Sequence, residues 1–215
     1  MNRVQDHLWK MPSSEQLLPR KRLIALLREH VLHAPDAPLR LEAASWLRFL
    51  LQAGCVPQPE EVFLTLVTAS TQAARRARMK NVEDGNELAS YLQMIFDSFW
   101  PFRYPYATFT WEYFPANEVF YPLAPLLEEA NIQEALIAIF AELPRLDDTE
   151  IAQHLLPVAL AWSSHPDSER RRRVTNILAR ISHSSAQEAL RRLQSDIDPI
   201  VRATAKRAAA YVQRA

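Results

Sequence analysis

The stretch that decides the fold is Asp198-Pro199-Ile200-Val201-Arg202-Ala203-Thr204-Ala205, which runs on to Ala208 and Ala209. An aspartate followed by proline reads as a helix start. The carboxylate can accept from the free N–H groups of the first turn, and proline at the first helical position has no N–H to lose. The arrangement occurs twice more. Asp167 is followed by Arg171, Val174, Ile177 and Leu178, and Asp36 by Arg40, Ala43, Trp46 and Leu47. In each, an arginine stands four residues after the aspartate, and small or apolar residues stand seven, ten and eleven after it. That spacing puts the apolar set on one helix face, toward the layer beneath. The arginine can fold back or reach the neighbouring repeat. Asp36, Arg40, Asp167, Arg171, Asp198 and Arg202 are therefore candidates for a ladder along a stack.

Outward from these segments, spacing of three and four continues. Leu23, Ile24, Leu27 and Val31 form one stripe, stopped near His33 by Pro35. A second helix runs from about Pro38 to Ala53, with Leu39, Ala43, Trp46, Leu47 and Leu50 on one side and Gly54 as its stop. A third starts at Pro59 and runs toward Lys80; a fourth opens at Asp84, with Glu87 three residues on as a capping-box partner. Beyond residue 121 the expected segments are 122–130, 131–143, 148–162, 166–182, 185–194 and 198–214. Capping-box spacing recurs at Asn131 with Glu134, Asp147 with Glu150, and Ser185 with Glu188. Links of a few residues make neighbouring helices antiparallel.

Composition agrees. Of 215 residues only 2 are glycine and 15 are proline. Glycine supplies hairpin turns and phosphate-cradling loops, so its scarcity argues against β-rich folds, and no P-loop or dinucleotide fingerprint is present. The expected fold is all-α, an α-α superhelix of antiparallel helix pairs with about ten helices and an irregular aromatic-rich insertion. It forms one domain over 1–215: N-terminal pairs in 14–98, the insertion in 99–121, C-terminal pairs in 122–215.

The segment Asp198-Pro199-Ile200-Val201-Arg202, with its spaced alanines, resembles the second helix of HEAT-like repeats, whose signature is an aspartate, often a proline, then Val-Arg. The likeness is fullest in the C-terminal third and looser over 36–53, and the middle of the chain hardly shares it. The resemblance implies a partner-binding or scaffolding role, because the repeat itself carries no catalytic group.

Net charge is zero, from 25 basic and 25 acidic residues, but it is banded. Residues 1–80 sum to +5 (12 basic, 7 acidic), 81–150 to −11 (2 and 13), and 151–215 to +6 (11 and 5). The acidic middle is a possible docking surface for a basic partner, though helix starts and solvated faces account for most of it. The basic C-terminal third gives the alternative function, a nucleic-acid-binding repeat protein. Residues 96–121 hold 12 of the chain's 20 aromatics. Packed into the molecule they are core; partly exposed they are interface anchors, and Trp100, Arg103, Tyr104, Tyr106, Trp111 and Tyr113 are the candidate partner-binding residues.

Chemistry beyond binding finds little support. The single cysteine, Cys55, reads as a buried thiol. His30 and His33 have helical spacing but lack a third metal ligand. No catalytic residue, cofactor or metal is assigned. The N-terminus has no apolar signal core and no apolar run spans a membrane, so the expected location is cytoplasmic and the expected partner another protein.

Overall fold

The computed structural model describes residues 14–79, 84–99, 116–129, 131–143 and 149–212. Among them the chain is wholly helical, with ten α-helices, one 3-10 helix and no strand. None of these helices is long and apolar enough to cross a membrane. The contacts divide into two compact units, Met1–Pro115 and Ala116–Ala215, a division that falls inside the expected aromatic insertion.

The first unit holds α1 (Ser14–His33), α2 (Ala37–Gln52), α3 (Pro59–Met79) and α4 (Asp84–Ser98). Helix α1 packs on α2, α3 packs on α4, and α2 also touches α4. Asp36 caps α2 by accepting the Leu39 N–H at 2.8 Å, and Gly54 ends the chain reversal after it at φ +67°. The core is Leu47, Val62, Phe63, Leu66, Leu92 and Ile95, with Phe99 against Phe63 at 5.0 Å between centroids. Cys55 is buried.

The expected α1 and α2 stripes are corrected in part. Ile24 and Val31 are buried, but Leu23 is exposed. In α2, Ala43 and Leu47 face inward, whereas Leu39 and Trp46 face solvent, Trp46 with 53 % of its surface exposed. The inward stripe of α2 runs through Arg40, Ala43, Ala44, Leu47 and Leu51, because the buried ion pair of Arg40 turns that residue to the core and rotates Leu39 out. Trp46 instead meets Phe49 edge to face at 6.0 Å.

The second unit holds α5 (Ala116–Leu123), a 3-10 helix (Ala124–Glu128), α6 (Gln133–Glu142), α7 (Thr149–Ser163), α8 (Ser168–Arg180), α9 (Ser184–Leu193) and α10 (Pro199–Val212). Helix α8 is central to it, touching α6, α7, α9 and α10. Helical structure starts at Ala116, earlier than the expected 122, and 124–128 is 3-10. Pro122 and Pro125 supply no N–H to an α ladder, which favours a short tight turn there. Phe120 meets Phe140 at a tilt, with 4.8 Å between ring centroids, and both are buried, so this end of the aromatic stretch is core. Two expected caps also differ. Ile132 caps α6 without a side-chain bond, and His183, whose Nδ1 accepts from the Ser185 N–H at 3.2 Å, caps α9. Segments 149–163, 168–180 and 199–212 match expectation within two residues.

Candidate functional site

The three Asp-x-x-x-Arg segments build one device three times. Each aspartate accepts from the first turn of its helix: Asp36 from Leu39 N, Asp167 from Glu169 N at 2.9 Å, and Asp198 from Ile200 N and Val201 N at 2.8 and 3.2 Å. Each arginine then turns back to the carbonyl six residues before it. Arg40 Nη1 donates to Ala34 O at 2.7 Å, Arg171 Nη1 to His165 O at 2.7 Å, and Arg202 Nη1 to Asp196 O at 2.5 Å. The side chain thus ties down the loop entering its own helix, satisfying a carbonyl the helix cannot reach.

Two of the arginines also cross to the next helix pair. Arg171 Nε and Nη2 hold the Asp196 carboxylate at 2.8 and 2.9 Å. Arg40 does the same to Glu87 at 2.7 and 3.0 Å. These planar two-point contacts are the strong form of a guanidinium–carboxylate pair. Asp196 is a hub, since it receives Arg171 on its carboxylate, the Asp198 N–H on Oδ1 at 2.8 Å, and Arg202 on its backbone oxygen. The partners Glu87 and Asp196 lie outside the repeated pattern, at separations of 47 and 25 residues, so the pattern alone could not name them.

Electrostatics follow the geometry. Hydrogen bonding from Arg171 holds Asp196 below the usual carboxylate range against the opposing effect of burial, and Asp196 raises Arg171 in return. Asp198 is lowered by the backbone N–H groups of Val201 and Ile200. Around Glu87, only 2 % exposed, burial pushes the carboxyl up, but Arg40 and Arg76 outweigh it and the group ends lowered. Arg76 Nη2 lies 3.0 Å from Glu87 Oε1, and the Tyr91 hydroxyl donates to the same oxygen at 3.1 Å. Burial, then the charge of Glu87, raises Tyr91. Glu87 therefore belongs to a buried ionic cluster and leaves the acidic band. Asp97 pairs with Arg48 at 2.9 Å, and Glu134 with Arg173 at 2.7 Å.

Several arginines of the basic band are also engaged within the chain. Arg170 sits 5.0 Å over the Trp162 ring, Arg172 and Arg173 share Glu169, and Arg180 donates to Leu143 O at 2.6 Å. Glu169 is held down to about 2, chiefly by its hydrogen bond from Arg172. Compared with protein-family models, curated proteins and solved structures, the chain matches none.

Trp100, Arg103, Tyr104, Tyr106, Trp111 and Tyr113 lie outside the described residues. Among the described residues, no group of three or more His, Cys, Asp or Glu could hold a metal ion, and His30 Nδ1 lies 2.8 Å from Leu26 O, within its own helix. A groove of about 590 Å³ does open between α8 and α10. Arg172, Asn176, Ala179 and Arg180 line it from α8, and Thr204, Arg207 and Ala208 from α10.

Proposed function

We propose that this chain is a non-enzymatic interaction module built from HEAT-like repeats, which binds another protein on the face formed by successive second helices. A scaffold or adaptor role in the cytoplasm goes with that reading. The observation that carries it is the recurring aspartate cap and arginine back-bond, repeated at Asp36/Arg40, Asp167/Arg171 and Asp198/Arg202. Repetition of one device is how a stack keeps its helices in register, and stacks of helix pairs present long continuous faces. The arginine–carboxylate contacts of Arg40, buried, and Arg171, part-buried, serve that register, and catalysis gives no reason for their recurrence.

The alternative, nucleic-acid binding through the basic third, is weakened by the internal use of Arg170 to Arg173. Capture of tagged full-length chain from its host lysate, with and without nuclease, separates the two. One stoichiometric protein retained through nuclease treatment supports the interaction module. Captured material that disappears with nuclease overturns it in favour of nucleic acid, whose binding also weakens steeply between about 50 and 200 mM salt.

A further inference from the structure

The groove between α8 and α10 has a specific chemistry. From α8 it takes Arg172, Asn176 and Arg180, which recur at four-residue spacing along one helix face, and from α10 it takes Arg207. Three guanidinium groups line it, with no carboxylate among the described lining residues. Two of the three have internal duties: Arg172 is paired with Glu169, and Arg180 holds the carbonyl of Leu143 at the end of α6. Arg207 is exposed, and among the described residues no carboxylate pairs with it. Alanines 179 and 208 keep the walls low, so an extended backbone can approach closely, and the exposed Asn176 offers both an amide donor and an acceptor.

We infer that this groove receives an acidic segment of a protein partner, with Arg207 as the primary carboxylate contact and Asn176 against the partner's backbone. The inference rests on the protein-binding reading above. Charge complementarity selects the acidic occupant: guanidinium forks match carboxylates in two-point geometry, and uncompensated positive charge in a concave site attracts anions. A single-stranded nucleic acid would bring negative charge too, but its binding relies on aromatic rings to stack the bases, and the described lining residues include no aromatic.

The test is fluorescence anisotropy with the full chain at several salt concentrations. The probes are a fluorescein-labelled ten-residue alternating Glu–Ala peptide, its Gln–Ala counterpart and a labelled oligothymidylate. The expected result is saturable binding of the Glu–Ala peptide alone. Arg207→Glu and Asn176→Glu should each weaken it by about tenfold or more, as loss or reversal of a charge contact does. Arg191→Glu, an exposed change on α9 outside the groove, should leave binding within about twofold. Circular dichroism melts of all variants keep folding separate from binding. Absence of peptide binding overturns the inference, as does equal loss in Arg191→Glu or tighter binding of the oligothymidylate. If the peptide fails while a nuclease-resistant protein is still captured by the Arg207→Glu chain, the groove is wrong and the protein-binding reading stands. If the oligothymidylate binds instead, both fall.

Discussion

Arg171 reaches from the start of the second helix of one pair to grip Asp196 of the next pair, through two nitrogen–oxygen contacts of 2.8 and 2.9 Å. Both side chains are nearly buried, 11 % and 8 % exposed. A pair in that position contributes little relative to an apolar substitute, yet leaving one partner alone is costly. Its consequence is spatial: Asp196 precedes the Asp198 cap, so Arg171 fixes where α10 begins relative to α8 and thereby the width of the groove between them.

The same reasoning applies to the first unit. Glu87→Gln keeps the shape but leaves Arg40 and Arg76 without their shared carboxylate. Breaking a buried pair this way costs about 3–5 kcal/mol. Denaturant unfolding should show a loss of that order, with no comparable loss for Glu42→Gln, an exposed site.

Trp46 and Ile177 occupy the same register, ten residues after their aspartates, but one is half-exposed and the other fully buried. Ile177→Ala should cost about 2–5 kcal/mol, because it removes packed methylenes and leaves a cavity. Trp46→Ala should cost under about 1 kcal/mol, as surface changes do. Paired melting curves decide it, and similar losses would place Trp46 in the core.

Glu169 gives a pH prediction. Its folded-state value lies near 2 against an ordinary 4.5, so its contribution is present above about pH 4.5 and lost as pH falls toward 2. The melting-temperature gap between the natural chain and Glu169→Gln should be constant from neutral pH to about 5 and close as pH approaches 2. A gap that widens in acid would contradict the pairing with Arg172. Because the group is nearly half-exposed, the gap is small.

Gly54 has φ +67° and open space where a Cβ would stand. Gly54→Ala therefore meets no clash but carries the left-handed backbone penalty, about 1–2 kcal/mol. Gly54→Asn should cost less, since asparagine tolerates that conformation. Equal losses for the two would place the effect elsewhere.

Much of the helix layout was legible because caps and stops are local. Asp36, Asp167 and Asp198 announce helix starts by chemistry confined to three residues, and proline and glycine announce ends. The contacts that join one pair to the next were not legible. Glu87 reads as one more acid at a helix start, and its role appears only when Arg40, 47 residues away, folds onto it. Asp196 stands two residues before a better cap and attracts no attention in sequence. The outward turn of Trp46 has the same origin: periodicity admits two neighbouring stripes on α2, and the buried position of Arg40 selects between them.

A double-mutant cycle on Arg171→Ala and Asp196→Ala tests most directly whether this contact joins consecutive helix pairs. Denaturant unfolding of the natural chain, both single variants and the double variant gives the coupling. The ladder predicts a coupling of about 1–3 kcal/mol, with the double variant more stable than the sum of the single losses implies. Additive losses, within about 0.5 kcal/mol, would show that the two residues act independently and would remove the rung on which the register of α8 and α10 depends.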